Sequence, residues 1–180
     1  EGYCEIVITG IEVSSYGVDL PERPPLSALI EAVCQAAPHT RIRLSSLEPR
    51  TITPEFLQAI APYSNLCPHF HLSLQSGCDA TLRRINRGHD AAASAKAIEL
   101  AEKTDVQVCA HLMLGLPGET PDDVHATVRR LNDLPVHGVK LHNVYVCRNT
   151  ALERAYRAGE YVPLTEDAYV ELAVDALTEL

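Results

Sequence analysis

The amino-acid sequence predicts an α/β fold whose parallel strands form a partial (β/α) barrel, and two observations carry that prediction. Five strand-like runs alternate with helix-like runs, and the strands start roughly every 30 to 40 residues, the order of βα units joined by crossovers. In each strand one alternating set carries polar groups: Glu5 and Thr9; Arg41, Arg43 and Ser45; His71, Ser73 and Gln75; His111; Lys140 and His142. Strands buried on both faces of a doubly wound sheet are more uniformly Val and Ile. A polar face repeated on all five fits a curved sheet around a ligand, with functional groups gathered at the carboxyl ends of the strands.

Residues 5 to 10 read as a short buried strand ending in a Gly turn, and a loop through Ser14–Gly17 and the Pro-rich residues 21–25 follows. Leu26, Leu29, Ile30 and Val33 recur at helical spacing, so 26 to 37 is a helix that Pro38 closes. Residues 41 to 47 form the next strand, leading into Glu48-Pro49, a strand-end carboxylate fixed by proline. Thr53 followed by Pro54 marks an N-cap and first helical position, opening a helix to about Ala61. His69 to Gln75 is the third strand, with Phe70, Leu72 and Leu74 on an apolar face and His71, Ser73 and Gln75 on a polar one. Ser76-Gly77 breaks it, Asp79 is placed as a helix cap, and Ala80 to Asn86 begin a helix. An Ala-rich helix then runs from about Ala91 to Thr104. Val106 to Leu114 is the fourth strand; Gly115 to Pro121 make a rigid turn, and Thr120 with Asp123 resembles a capping box for a helix to Leu134. Gly138 to Val146 is the fifth strand, followed by helices at 151–157 and after Thr165.

A chain of 180 residues fits one domain, 1–180, large enough for a real core. It begins with Glu and both ends run straight into patterned sequence, which reads as a fragment of a longer protein. The net charge of −9 gives no overall basic field for nucleic acid, so an RNA partner needs a local basic patch or another domain. No apolar run approaches the ~20 residues of a membrane span and no signal pattern is visible, so no membrane partner is expected and the cytoplasm is the expected location. The six cysteines are at least ten residues apart, without C-x-x-C or C-x-x-x-C-x-x-C, so they carry no metal signature and read as free thiols.

The densest chemistry lies in residues 69–89. Gln75 is delivered to a Gly turn, and Arg84 and Arg87 follow it, a set suited to an anionic, polyhydroxylated ligand.

Glu5 to Leu20 (EIVITGIEVSSYGVDL), Arg41 to Pro49 (RIRLSSLEP), Cys67 to Asp79 (CPHFHLSLQSGCD) and Thr81 to Arg87 (TLRRINR) closely resemble the radical S-adenosylmethionine (SAM) domain of tRNA methylthiotransferases. The match is best to the branch acting on threonylcarbamoyl-adenosine next to the anticodon. In the second half, Asn86 to His89, His111-Leu112, GLPGET at 115–120 and LPVHGVKLHN at 134–143 are more similar to a poorly characterised bacterial radical-SAM family, as is the stretch from Tyr156 to Tyr169. Tyr145 to Thr150 departs from the Tyr-Ser-x-Arg-x-Gly-Thr-like stretch usual in methylthiotransferases.

The resemblance implies units two to six of a six-unit partial barrel, with the first strand and its cluster loop missing from this chain. It implies S-adenosylmethionine and a 4Fe-4S cluster whose ligands lie upstream, with reductive cleavage of the sulfonium to a carbon radical. It further implies a tRNA substrate bound through other domains and an electron donor such as flavodoxin or ferredoxin. The fragment alone is expected to be inactive. Carried over by position, Gly10 approaches the methionine part of the cofactor, and Glu48 with Arg87 orients its amino-acid end. Gln75 and Ser76 bond the ribose, and Gly115, Leu116, Pro117 and Gly118 pass close to the adenine. On the residues alone, Glu48 and Arg87 also read as an ordinary ion pair at the rim, the glycines as a tight turn, and the histidines as satisfied interior groups. At the level of the whole protein the alternatives are a radical-SAM enzyme of unknown substrate and a non-catalytic ligand-binding barrel without a cluster.

Overall fold

A computed structural model describes residues 2–180. Its strands are β1 Glu5–Ile8, β2 Arg41–Leu44, β3 Ser46–Leu47, β4 His69–Gln75, β5 Gln107–Leu114 and β6 Gly138–Asn143. Its helices are α1 Leu26–Ala36, α2 Pro54–Ile60, α3 Asp79–Arg84, α4 Ala91–Glu102, α5 Pro121–Asn132, α6 Ala151–Arg157 and α7 Glu166–Glu179. All strand pairings are parallel: β1 lies beside β2, and β3, β4, β5 and β6 follow in order. Ile42 of β2 exchanges main-chain bonds with Asn65 and Cys67, just before β4, so the two sheets form one continuous curved surface. Both the α/β class and the barrel-like parallel order follow the sequence reading.

The region of residues 41–47 differs from it in one respect. The reading treats residues 41–47 as a single strand with odd-numbered residues facing inward. In the structure β2 pairs with β1 and β3 pairs with β4, and Ser45 lies between them outside either ladder. Ile42 and Leu44 are in the core, and so is Leu47, which means the alternation changes parity across Ser45. Ser46, not Ser45, bonds His71, and Glu48 is turned to the polar side where a regular strand would have put Leu47. An extra residue that reverses the facing of a strand is the physics of a bulge.

The core lies under the outer face of the sheet. Phe70, Leu72 and Leu74 are 1%, 0% and 3% exposed and pack with Ile30, Ile42, Leu47, Ile98 and Val108. Burying such side chains stabilises the fold by about 1.5–3 kcal/mol each. The helices start where their caps place them. Thr53 Oγ1 accepts from Phe56 N–H ahead of Pro54; Thr120 and Asp123 form a full reciprocal capping box; Thr150 and Thr165 cap α6 and α7. Asp79 is a correction: Cys78 holds the N-cap position of α3, and the Asp79 carboxylate instead accepts the N–H of Ala91, the first residue of α4. The strands at 5–10 and 138–146 are also shorter than expected, ending at Ile8 and Asn143.

Candidate functional site

The site is built where β3 and β4 end. The parity change at Ser45 presents Glu48, and the Glu48 N–H donates to Ser14 Oγ at 2.9 Å, fixing its backbone. Arg87 arrives by another device. Asn86 adopts φ +57°, the Asn86 N–H bonds the Arg83 carbonyl and the Arg87 N–H bonds the Leu82 carbonyl. This is the Schellman pattern, which ends α3 and turns the next side chain back toward the strand ends. Arg87 Nη2 donates to Glu48 Oε1 and lies 3.4 Å from the Ser73 carbonyl. His89, its side chain 1% exposed, places Nδ1 3.4 Å from Glu48 Oε2 without hydrogen-bond alignment. Burial raises the Glu48 pKa, but His89, Arg87 and Arg50 together outweigh it, so the carboxyl sits below its ordinary value and stays ionised.

Glu48, Arg87, Arg50, Glu12 and Gly88 line a cleft of about 570 Å³. A larger cleft of about 720 Å³ lies between residues 14–27 and the start of α2 and shares only Arg50 with it. At the end of β4, Gln75 takes φ +68°, a conformation glycine normally occupies, and the Ser76 N–H closes a tight turn onto the Leu74 carbonyl. Gln75 Oε1, Arg87 Nε and His89 Nδ1 are all buried without partners. Unpaired buried polar atoms clustered at one rim are costly unless a ligand or water completes them.

The other sequence-derived residues fall differently. Gly10 is exposed two residues beyond β1, with only Val13 near it. Ser76 is 2% exposed and its hydroxyl donates to Glu119 at 3.0 Å, so it is spent inside the protein rather than offered to a ribose. The expected open approach along Gly115–Gly118 is also filled. A Cβ on Gly115 would stand 2.8 Å from Leu164, one on Gly118 3.0 Å from the Arg84 guanidinium, and Leu116 is buried. Arg84 Nη1 donates to the Pro117 carbonyl at 2.8 Å and Tyr161 to the Gly115 carbonyl at 2.8 Å. Arg84 therefore braces this turn through one of its N–H groups. Sequence reasoning missed His89; its place in the Asn86–His89 stretch was visible, but its contact with Glu48 spans 41 residues of chain.

Inside the barrel, His71, His111 and His142 stack across β4, β5 and β6. Ring centroids are 4.9 Å apart at 12° for the first pair and 4.4 Å apart at 56° for the second. His71 Nδ1 bonds Ser46 Oγ at 2.7 Å, but His71 Nε2 and both nitrogens of His111 have no partner. Burial, then the charges of His142, His71, Lys140 and Arg87, pushes His111 down to about 4, so it is neutral at physiological pH. Burial and the neighbouring Lys140 also lower His71 and His142.

A curved parallel sheet with a carboxylate–guanidinium pair and unpaired polar atoms at its strand ends is an α/β protein of the partial-barrel class. The family follows from comparison with known proteins: residues 2–131 match the radical SAM superfamily and residues 136–180 the radical SAM C-terminal domain, and the chain belongs to that superfamily. It is 33% identical over 136 residues to tRNA-2-methylthio-N(6)-dimethylallyladenosine synthase of Geobacter sulfurreducens, covering 74% of this chain and 30% of that protein. It is 36% identical over 137 residues to the threonylcarbamoyladenosine tRNA methylthiotransferase MtaB of Rickettsia prowazekii, covering 73% and 32%. The chain thus spans about a third of the length of these relatives. Among solved structures, Elp3 of Methanocaldococcus infernus shares the fold with a TM-score of 0.73 at 19% identity, over 96% of this chain and 44% of that one.

Membership in this superfamily implies S-adenosylmethionine and a 4Fe-4S cluster, and the residues present fit only the first. The unpaired Arg87 Nε–H and the Glu48 carboxylate, both in residues that line the cleft, suit a small zwitterionic ligand. The cysteines do not suit a cluster: among the described residues no group of three or more His, Cys, Asp or Glu converges to hold a metal, and the chain has no C-x-x-x-C-x-x-C. Among the described residues no helix is long and apolar enough to cross a membrane.

Proposed function

We propose that this chain is the barrel core of a radical SAM methylthiotransferase acting on a modified tRNA adenosine, and that its rim orients S-adenosylmethionine. The observation that carries the reading is the Glu48–Arg87 pair at the ends of β3 and β4, left with an unpaired Arg87 Nε–H beside a cleft. Arg87 donates through its planar fork to the cofactor carboxylate, and ionised Glu48 fixes the guanidinium and accepts from the cofactor ammonium. Gln75 Oε1 accepts from the ribose, and Gly10 leaves room for the methionine part. Ser76 and the Gly115–Gly118 turn keep a bracing role only. When bound, the cofactor supplies radical chemistry on an unactivated carbon; the protein binds, orients and excludes water. The 4Fe-4S cluster, the tRNA-binding surface and the docking of a flavodoxin or ferredoxin belong to parts of the protein outside 1–180. The relatives' printed activities support the substrate class, as they name methylthio-adenosine products in tRNA.

The test uses the full-length enzyme. Arg87→Lys keeps the charge but loses the fork, so the Kd for S-adenosylmethionine is expected to rise about tenfold and tRNA methylthiolation to fall, with Tm unchanged. Unchanged affinity with a falling Tm would make Arg87 a structural ion-pair partner. A wild-type enzyme that cleaves the cofactor but never methylthiolates tRNA would move the substrate to the unknown class.

A further inference from the structure

The histidine stack is not used by the cofactor reading, and it is unusual in leaving so many nitrogens without partners. We propose that His71, His111 and His142, together with Lys140, form a subsite in the barrel lumen for a monoanionic oxyanion group, a carboxylate or a phosphodiester.

Three observations converge on it. First, the rings lie on adjacent strands in face or tilted contact, and three of their nitrogens are buried and unpartnered. Neutral imidazoles each offer one donor and one acceptor, so a group of this kind pairs with oxygen atoms rather than with an apolar surface. Second, Lys140 is the register partner of His111 on β6 and shares the His142 face. Its charge is among the causes that lower the pKa of all three histidines. Third, Lys140 is a cation without a carboxylate partner. Arg87 is paired with Glu48 above the stack and Arg43 with Glu5, which Arg41 shares, beside its lower end, whereas among the described residues Lys140 pairs with no carboxylate. Burial lowers His69 and raises Cys109, two further titratable groups near the lower end, so the first adds no positive and the second no negative charge at neutral pH. A site with one unmatched cation and several neutral donors selects a single negative charge spread over oxygens.

Calling that oxyanion part of the substrate rests on the enzyme reading above; its binding here does not. The test therefore omits S-adenosylmethionine. The full-length protein, labelled with ¹³C in its histidine rings, is titrated at pH 7.5 and constant ionic strength with sodium acetate and, separately, with dimethyl phosphate, while the ring resonances are followed by NMR. Saturable movement of the His111 and His142 signals is expected, with a Kd of about 10 mM, weakened about tenfold in Lys140→Gln and held within about threefold in Lys140→Arg. A response to acetate alone assigns a carboxylate, one to dimethyl phosphate alone a phosphodiester, and a response to both the shared oxyanion chemistry. No saturable movement with either probe, or equal movement in Lys140→Gln, overturns the proposal. Because Lys140 is exposed, the variant keeps its fold, which the dispersion of its spectrum verifies. Failure of the Arg87→Lys experiment leaves this result standing, and the reverse also holds.

Discussion

The turns that end β4 and β5 occupy equivalent places in neighbouring βα units, yet they are built on opposite lines. After β4, a glutamine rather than a glycine takes the left-handed conformation, and its side-chain oxygen is buried without a partner. After β5, glycines take the left-handed positions, and the space beside them is filled by Leu164 and Arg84. The first turn carries strain and unpaired atoms, the usual marks of a place that meets a ligand. The second is sealed by the protein's own side chains. The resemblance assigned cofactor contacts to both.

The largest expected effect comes from breaking the seal. Gly115→Ala puts a methyl 2.8 Å from Leu164 at φ +81°, and a loss of about 2–4 kcal/mol is expected in urea unfolding. The double variant with Leu164→Ala would recover the steric part. A matching change after β4 should act the other way and be much smaller: Gln75→Gly relaxes the backbone, leaving stability level or raised by about 0.5–1 kcal/mol while weakening cofactor binding. If both changes destabilise alike, the contrast between the turns fails.

Between these lies a titration. Glu119 ties the two turns together, accepting from Ser76 and from the Leu116 N–H, and burial pushes it from an ordinary 4.5 up to about 7 against the pull of those bonds. The unfolded chain ionises from about pH 4.5 while the folded chain holds the proton to about 7. The stability this group contributes is therefore full below 4.5, declines between those values and is absent above them. Glu119→Gln removes the decline, so its stability relative to wild type should improve by about 2 kcal/mol from pH 4.5 to 8, allowing for partial exposure. Thermal melts across that range check it; parallel curves would show Glu119 to be ionised in the folded protein.

Much of the fold was legible because its signals are local. Alternation placed Phe70, Leu72 and Leu74 in the core, and Thr53-Pro54, Thr120 with Asp123, and Thr165 announced their helices. The placing of Glu48 and Gln75 at strand ends was legible in the alternation, and their grouping with Arg87 came from the resemblance. What escaped depends on partners far along the chain. Nothing near Gly115 announces Leu164, nothing near Ser76 announces Glu119, and Arg84 and Arg87 look alike until α3 ends between them. Asp79 was misplaced for the same reason, as its partner Ala91 lies in the next helix.

Ser45, which lies between β2 and β3 and bonds the Ile8 carbonyl through its N–H, has a bearing on how such a barrel tolerates change. Because it resets which side chains face inward, the half of that segment beside β1 and the half beside β4 answer to separate rules of hydrophobic alternation. Substitutions at the sheet's edge can accumulate without disturbing the register that presents Glu48. Packing along that edge is thereby uncoupled from the facing that turns the acid to the rim.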